Sequence, residues 1–373
     1  MGGAHVEALQ RIGGVEVIAI ASMDLNSARS IADKFSIPKI YENWKDVLAS
    51  NEVEVIHNCT PNNLHFEINK AAINSGKHII SEKPLTINSK QSAELLKLAV
   101  RKKVVNAINF NYRFYPLIQH ARIEMQKGVL GEIYLVHGNY LQDWLYYNTD
   151  YNWRLETGVS GESRAIADIG SHWCDMVQFV TGMKIKKVFA NLVTIHKTRL
   201  KPEKSVETFK RKEKKSFGKA KDIEIKTEDA GTVLFQFENG TIGTFTVSQV
   251  SAGRKNHFWF EIDGSRKSIA WNQEDPNKLW VGYREKPNEV IIKDPSLLNE
   301  DAKRFAHYPG GHPEGYPDGP KNLFMSVYNF IREGKSPLKD KKDFPTFEDG
   351  HQENLIVEAI LKSNRLQKWI EVK

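Results

Sequence analysis

The chain has 373 residues, of which 27% are charged, and a formal net charge of +7. This length is sufficient for two domains with separate cores, and no stretch approaches the ~20 consecutive apolar residues of a membrane span. No signal-peptide pattern opens the sequence, and two cysteines are too few for a disulfide framework, so we expect a cytoplasmic protein.

The positive charge is concentrated in residues 197–226, which carry 12 Lys and Arg against five Asp and Glu. This excess of seven equals the net charge of the whole chain. The segment contains the basic run Lys210–Lys215, with Pro and Gly nearby and little apolar periodicity, which predicts a solvated connecting loop over 197–226. Few aromatic residues are interleaved with the cations, so we expect neither a nucleic acid nor a membrane as partner.

The first third of the chain alternates strand-like and helix-like segments. Apolar runs predict strands over 15–21, 53–59, 78–82 and 104–110, and amphipathic stretches predict helices over 26–35, 64–75 and 88–102. This order predicts a parallel sheet with right-handed crossovers, the doubly wound α/β class. We expect residues 1–114 to form this first domain.

The rest of the chain, residues 115–373, has the alternation that is typical of antiparallel strands. Strands are predicted over 132–140, 185–195, 231–237, 241–250, 258–262, 268–271 and 278–282, and helices over 323–332 and 352–367. Turns at Asn239-Gly240 and Asp263-Gly264 predict hairpins. We expect an α+β domain with a large, mostly antiparallel, open-faced sheet, and C-terminal helices that pack back on the first domain.

Two motifs carry residues with useful chemistry. Lys83 follows a predicted strand, and the carboxyl ends of parallel strands are where open α/β sheets bind ligands. Asp168 and His172 stand four residues apart at the start of a predicted helix, which places them on one face. A histidine can accept a hydroxyl proton near neutral pH, and a lysine can stabilise a developing alkoxide. The alternative for either motif alone is a surface lysine or an ordinary helix start.

Together these motifs resemble the Gfo/Idh/MocA oxidoreductases, which are nicotinamide-dependent dehydrogenases, mostly of sugars, cyclitols and related polyols. The resemblance spans nearly the whole chain and rests on Thr60-Pro61-Asn62 with His65, Glu82-Lys83-Pro84, Asp168-Ile169-Gly170-Ser171-His172 and Thr227-Glu228-Asp229-Ala230. It implies a Rossmann-like first domain and a cis peptide at Pro84. It also implies that Lys83 hydrogen-bonds the substrate hydroxyl, that His172 is the general base and that Asp168 orients the substrate or the base.

The first residues depart from the family pattern. Members begin with a strand and a Gly-x-Gly-x-x-Gly turn, whereas this sequence opens Met1-Gly2-Gly3-Ala4-His5, which is similar to the end of that turn. We expect the central strand of the sheet to be missing from the sequence. Either an internal methionine has been taken as the start, or the chain is a cofactor-free relative.

The resemblance further implies NAD or NADP as cofactor. Ser22 and Asp24 follow the strand predicted over 15–21, which corresponds to the second strand of family members. No arginine is adjacent to pair the phosphate of NADP, which favours NAD slightly. Asp24 has the alternative role of capping the helix that follows. The other expected cofactor-binding residues are Gly2, Cys59, Thr60, Pro61, Asn62, His65, Glu82, Lys83 and Arg113.

Substrate recognition is expected from aromatic and hydrogen-bonding side chains, a combination that binds sugar rings. The candidates are Lys83, Arg113, Trp144, Tyr151, Trp153, Arg154, Asp168, His172 and His312. The tryptophans have the alternative of packing in the core or an oligomer interface, and His312 of being merely an exposed loop residue. No metal site is predicted, because the spacing of His and acidic residues indicates no third ligand.

The predicted function is hydride transfer between a nicotinamide cofactor and a secondary hydroxyl of a sugar, cyclitol or glycoside. The alternative is a catalytically silent sensor of sugars or nucleotides, or a scaffold, with the same fold. The exposed apolar face of the second sheet predicts that subunits pair as a homodimer or homotetramer.

Overall fold

A computed structural model describes residues 1–202 and 220–373 of the chain. These residues form two compact units, Met1–Tyr115 with Glu314–Gln352 and Pro116–Pro313 with Glu353–Lys373. The domain boundary between residues 114 and 115 stays a prediction. Within the described ranges, no helix combines the length and the apolar character that a bilayer crossing requires.

The first unit alternates helices with short parallel strands. Its first part comprises α1 (Gly2–Ile12), β1 (Ala19–Ala21), α2 (Leu25–Phe35), β2 (Lys39–Tyr41), α3 (Trp44–Ala49), β3 (Val55–Asn58), α4 (Asn62–Asn74), β4 (His78–Ser81), α5 (Ser89–Lys102) and β5 (Asn106–Ile108). β1 pairs with β2, and β3, β4 and β5 pair in that order, all parallel. The parallel α/β class is confirmed.

Local sequence signals explain where these helices begin and end. In α5 the side chain of Asn88 accepts a hydrogen bond from the Gln91 amide, and the helix ends where Lys103 adopts a left-handed conformation. Leu95 and Leu98 of α5 are buried in one apolar cluster with Ile79 of β4. The strands are shorter than predicted, because an apolar run marks burial and not the extent of ladder pairing.

The second unit is built around a nine-stranded sheet. The remaining elements are α6 (Pro116–Gln126), β6 (Ile133–Leu141), α7 (Thr157–Ser160), α8 (Ser171–Thr181), β7 (Ile185–Val193), β8 (Thr198–Pro202), β9 (Ala220–Glu224), β10 (Ala230–Phe237), β11 (Ile242–Ser248), β12 (His257–Gly264), β13 (Ser268–Asn272), β14 (Lys278–Gly282), β15 (Glu289–Ile292), α9 (Glu300–Lys303), α10 (Asp318–Arg332), α11 (Phe347–Leu366) and β16 (Ile370–Glu371). The large sheet has the order β15-β14-β13-β12-β6-β11-β10-β7-β16. α10 belongs to the first unit.

The pairings in this sheet confirm the predicted, mostly antiparallel architecture. β6 and β11 are parallel, and the other neighbours are antiparallel. Both predicted hairpins form, between β10 and β11 and between β12 and β13. On the inner face of the sheet, Trp173 of α8 stacks on Phe245 with ring centroids 4.7 Å apart. On the outer face, Leu234, Ile242 and Val290 are exposed.

The predicted loop over residues 197–226 is wrong at both ends. Residues 198–202 and 220–224 form β8 and β9, which pair antiparallel as a separate two-stranded sheet. Arg199 of β8 has no exposed surface and donates to the carbonyl oxygens of Leu145, Tyr147 and Asp150. The charge count did not indicate this strand, because it treats Arg199 as a solvated cation although Arg199 is a buried structural residue. The run Lys210–Lys215 lies outside the described residues.

Candidate functional site

The loop after β4 carries Lys83 and a buried carboxylate beside it. Glu82 Oε1 accepts hydrogen bonds from His5 Nε2 at 2.9 Å and from Asn109 Nδ2 at 2.7 Å, and its Oε2 accepts from the Lys83 amide at 3.2 Å. Because Ser81 pairs with Ile108 in the parallel ladder, Glu82 and Asn109 leave the sheet side by side. The Lys83–Pro84 peptide bond is cis, as the family resemblance implies. The backbone at Lys83 is thus held by a fully bonded acidic side chain.

His5 is the buried cation of this cluster. Burial disfavours the charged ring, but the charges and hydrogen bonds of Cys59 and Glu82 outweigh it and raise the pKa of His5 to about 10. Burial and the charge of His5 lower the pKa of His57 well below its usual value. His5 Nδ1 can therefore donate to His57 Nδ1 at 2.9 Å, and His57 Nε2 to the Tyr328 hydroxyl at 3.1 Å.

The loop after β3 is tied to the Lys83 loop by His65. Its side chain has no exposed surface, and Nδ1 and Nε2 lie 2.7 Å and 2.9 Å from the carbonyl oxygens of Pro84 and Thr60. Thr60 Oγ1 donates to Asn58 Oδ1 at 2.7 Å. Pro61 precedes α4, which has no side-chain cap. His65 and Glu82 thus support the two loops, and their contact with a cofactor stays a prediction.

Arg113 is also engaged within the first unit. It is 8% exposed, and its guanidinium donates to Asp349 Oδ1 at 2.8 Å. This ion pair is the result of long-range packing and could not be read from the motif Asn111-Tyr112-Arg113. The contact of Arg113 with cofactor or substrate stays a prediction.

The expected dinucleotide-binding residues at the start of the first unit have mixed surroundings. The N-terminus of α1 has no side-chain cap and no acidic residue in its first turn, and a Cβ built on Gly2 would meet no atom within 4 Å. These features fit the approach of a pyrophosphate to helix amides. Asp24 caps α2, its Oδ1 accepting from the amides of Asn26 and Ser27, while Ser22 Oγ accepts from the Asp24 amide. Asp24 therefore caps α2, and its contact with a cofactor ribose stays a prediction.

In the second unit, Asp168 lies in a π-helical segment, Ile166–Gly170, that continues into α8. The sequence predicts the helix here but not its wider first turn. Asp168 Oδ2 accepts a hydrogen bond from Gln249 Nε2 at 2.8 Å, and Oδ1 lies 3.4 Å from Arg154 Nε. His172, on the first turn of α8, is 8% exposed. The structure thus brings together Asp168 and Arg154, both of which the sequence singled out.

The predicted substrate-binding aromatic residues differ in their surroundings. Trp144 and Tyr151 are half-buried against an apolar cluster that contains Leu145 and Leu155, which supports the alternative of core packing. Trp153 lies under the guanidinium of Arg154, with 4.4 Å from its Cζ to the ring. His312 is exposed, and its carbonyl oxygen accepts a hydrogen bond from the buried Lys293 Nζ at 2.8 Å.

Several further functional candidates are visible in the structure but were not predicted from the sequence. Asn109 follows β5 as Glu82 follows β4, and this parallel placement was the available signal. Gln249 follows β11 and has no conspicuous motif. His137, Glu261 and Asp263 place three ligand atoms within 4.8 Å of one another. The strand pairing that sets His137 opposite Glu261 is needed to see this cluster.

Comparisons with known proteins agree with this architecture. Residues 1–110 match the model of the oxidoreductase family with an NAD-binding Rossmann fold, and residues 118–270 match that of the GFO/IDH/MocA C-terminal domain. The chain belongs to the Gfo/Idh/MocA family. The family resemblance, the predicted oxidoreductase class and the predicted nicotinamide cofactor, NAD or NADP, are confirmed; the preference for NAD stays a prediction.

Among Gfo/Idh/MocA relatives, levoglucosan dehydrogenase of Pseudarthrobacter phenanthrenivorans is 28% identical over 371 residues, covering 96% of this chain and 89% of the relative. Glucose-6-phosphate 3-dehydrogenase of Bacillus subtilis is 23% identical, with coverages of 97% and 93%. A crystal structure of an oxidoreductase domain protein from Kribbella flavida has 28% identity and a TM-score of 0.88, and covers 100% of this chain and 96% of its own. Levoglucosan dehydrogenase in complex with NADH and levoglucosan has 27% identity and a TM-score of 0.87, with coverages of 100% and 97%.

Proposed function

We propose that this protein oxidises or forms a secondary hydroxyl of a sugar, cyclitol or glycoside with NAD or NADP. The observation that carries the proposal is the placement of Lys83 after β4, at the carboxyl end of the parallel sheet, in a chain that matches the NAD-binding Rossmann model. Relatives named for levoglucosan and glucose 6-phosphate support a carbohydrate substrate. The bound nicotinamide would supply or accept the hydride.

Lys83 is proposed to hydrogen-bond the reacting hydroxyl and to stabilise the alkoxide charge that develops on its oxygen. A preorganised cation does this well where water is excluded. Its backbone amide donates to Glu82 Oε2, and Glu82 is in turn held by His5 and Asn109. The side chain of Lys83 therefore extends from a backbone that has little freedom to shift.

His172 is proposed as the general base, and Asp168 as the residue that orients the substrate or the base. An imidazole accepts a hydroxyl proton effectively because its ordinary pKa lies near neutral pH. Asp168 is held by Gln249 and Arg154, so its carboxylate has a defined direction.

Three variants and a sugar panel test this function. Wild type, Lys83→Met, His172→Gln and Lys90→Met are assayed for reduction of NAD and NADP with levoglucosan, glucose 6-phosphate, a glucoside and myo-inositol. We expect Lys83→Met and His172→Gln each to lower kcat/KM by about 100-fold or more, because each removes a group that acts in the transition state. Lys90, an exposed lysine of α5, is the matched control and should behave as wild type.

The same experiment decides between the enzyme and the silent alternatives. NADH and NADPH titrations, followed by fluorescence, determine the cofactor preference and show whether each variant still binds it. A wild-type chain that binds cofactor and sugar without turnover would favour the sensor. A chain that binds neither cofactor nor sugar, and that has the same oligomeric state in wild type and variants, would favour the scaffold.

We also propose that a second copy of the chain covers the outer face of the large sheet. Exposed Leu234 and Ile242 on neighbouring strands support this, because contiguous exposed apolar residues mark interaction surfaces. A homodimer or homotetramer with a small-molecule substrate stays our prediction for the assembly. A cytoplasmic location also stays a prediction, which rests on the low cysteine content.

A further inference from the structure

A buried cluster of charged residues lies behind Asp168 in the second unit. Arg164, Arg199 and Asp229 all have side chains without exposed surface. Both guanidinium groups donate to Asp229 Oδ1, and Asp229 Oδ2 accepts from the amides of Ile195 and His196. Burial disfavours the carboxylate, but the charge of Arg164 and these hydrogen bonds lower the pKa of Asp229. Asp229 therefore anchors Arg164 in one position.

The Arg164 guanidinium also donates hydrogen bonds to Thr227 and Gln249. Its Nε donates to Thr227 Oγ1 at 3.3 Å, and one terminal nitrogen donates to Gln249 Oε1 at 3.2 Å. A guanidinium cannot accept a hydrogen bond, so the oxygen of the Gln249 amide must face it. The amide NH₂ of Gln249 then points the opposite way, where it donates to Asp168 Oδ2 at 2.8 Å.

The backbone that carries Asp168 is held by a second acidic residue, Glu228. Its Oε1 accepts hydrogen bonds from the amides of Arg164 at 3.0 Å and Ile166 at 2.9 Å, and from Ser163 Oγ at 2.7 Å. The Asp168 amide donates to the carbonyl oxygen of Arg164 at 2.7 Å. Main chain and side chain of Asp168 are thus held separately, the first by Glu228 and the second by Gln249.

We propose that Gln249 is a positioning residue that keeps the Asp168 carboxylate in one orientation and favours its ionised form, and that Arg164 fixes the direction of the Gln249 amide. This inference rests on the proposed function, in which Asp168 orients the substrate or the base. Gln249 has no exposed surface, so its amide makes these bonds without competition from bulk water.

The charged groups around Asp168 also support this proposal. Arg154 Nε lies 3.4 Å from Oδ1, Arg164 is one turn earlier in the chain, and His172 is one turn later. An NH₂ group can only donate, so it bonds well to a carboxylate oxygen and poorly to a protonated one that carries the hydrogen. Loss of this donor should let Asp168 rotate, and a second acid in its place should make protonation easier.

Two substitutions of Gln249 separate these effects in the full-length chain. We expect Gln249→Leu to lower kcat by about 10- to 100-fold, the value of one hydrogen bond to a charged group, with the KM for the cofactor unchanged. Gln249→Glu keeps the shape but sets a carboxylate beside Asp168. We expect it to move the acid limb of the pH–rate profile upward by about one unit or more. Gln236→Leu is the matched control, since the Gln236 side chain donates to the Gly240 carbonyl oxygen at the end of the same sheet.

Asp168→Asn distinguishes failure of this inference from failure of the proposed function. If Asp168→Asn abolishes turnover while both Gln249 variants keep the wild-type kcat and pH profile, the positioning role is overturned and the function stands. If Gln249→Leu does not fold, the isosteric Gln249→Glu still decides through the pH profile.

A measurement without turnover covers the case in which the wild type acts on no sugar. Midpoints of thermal unfolding of wild type, Asp168→Ala, Gln249→Leu and the double variant form a double-mutant cycle. We expect the two single effects to be non-additive by about 3 °C or more, since the two side chains share one charge-assisted hydrogen bond. Additive effects would overturn the inference, whatever the activity.

Discussion

At the scale of single residues, the Lys83 loop depends on a buried ion pair that lies outside any motif. His5 is 2% exposed and Glu82 is 6% exposed, yet they form a hydrogen bond of 2.9 Å. Burial opposes ionisation of Glu82, but the hydrogen bond and charge of His5, with the Asn109 amide, hold its pKa well below the usual range. Removing either partner would leave a charge buried without compensation.

We expect His5→Gln to lower the midpoint of thermal unfolding near neutral pH, because the free energy of unfolding should fall by about 3 kcal/mol. The pKa of His5 is raised to about 10 in the folded chain, above the ~6.5 of an unfolded histidine. Between these two pH values the folded chain binds a proton on His5 that the unfolded chain has released. The stabilisation by protonated His5 is therefore complete below pH ~6.5 and is lost as the pH rises through the pKa of the folded state. The stability gap between wild type and variant should narrow over this window.

Thermal unfolding of both proteins across the window measures this gap. His312→Gln is the control, because His312 is exposed and its removal should shift the midpoint little at any pH. A gap that stays constant from neutral to alkaline pH would show that His5 does not carry the additional proton.

At the scale of elements, Arg199 provides buried hydrogen bonds that attach the small sheet of β8 and β9 to the rest of the second unit. Arg199 donates to carbonyl oxygens of residues 145, 147 and 150 and to Asp229 Oδ1. The Leu200 amide donates to the Asn148 carbonyl oxygen at 3.1 Å. Because Arg199 links the segment that contains Trp144 to the buried charge cluster, loss of its side chain should loosen β8 and that segment together.

We expect Arg199→Met to raise hydrogen exchange at the Leu200 amide by about 100-fold, because several charge-assisted hydrogen bonds that close the segment are lost. Amides of α8 should exchange as in wild type. Lys201→Met is the matched control from the same strand, since Lys201 pairs with Glu156 at a side chain that is 41% exposed. Equal exchange in the two variants would contradict the role of Arg199 in attaching β8.

At the scale of the whole molecule, the two faces of the nine-stranded sheet have different environments. Phe235 and Phe245 are buried on the inner face, while Leu234 is 45% and Ile242 is 56% exposed on the outer face. The alternation of buried and more exposed residues along β10 and most of β11 is typical of a sheet that is covered on one side. The apolar outer residues are what a second copy would cover.

We expect Ile242→Glu to shift a dimer or tetramer toward the monomer, because the introduced charge would be buried in the contact without a partner. Size-exclusion chromatography with light scattering measures the mass of each variant. Val100→Glu is the matched control, because Val100 is an exposed valine of α5 in the first unit. A wild-type chain that is monomeric at every concentration would overturn the proposed assembly.

The accuracy of the sequence-based predictions varies with the range of the interactions involved. β14 has the bounds expected from its alternation, and α5 starts within one residue of its predicted start, because a capping asparagine and an apolar stripe are local signals. The predicted loop over 197–226 failed because Arg199 gains its partners from distant segments. The same holds for Gln249, whose hydrogen-bond partners Asp168 and Arg164 lie 81 and 85 positions earlier in the chain.

The sequence by itself determined the two classes of sheet, the order of elements, the family and the placement of Lys83 and Asp168 at element ends. Periodicity, caps and motifs act over a few residues, so they can be read along the chain. Only the tertiary structure decided that Glu82 is bonded to His5 and Asn109, and that Asp168 is held by Gln249. These contacts join segments through burial and hydrogen-bond geometry, which depend on packing in three dimensions.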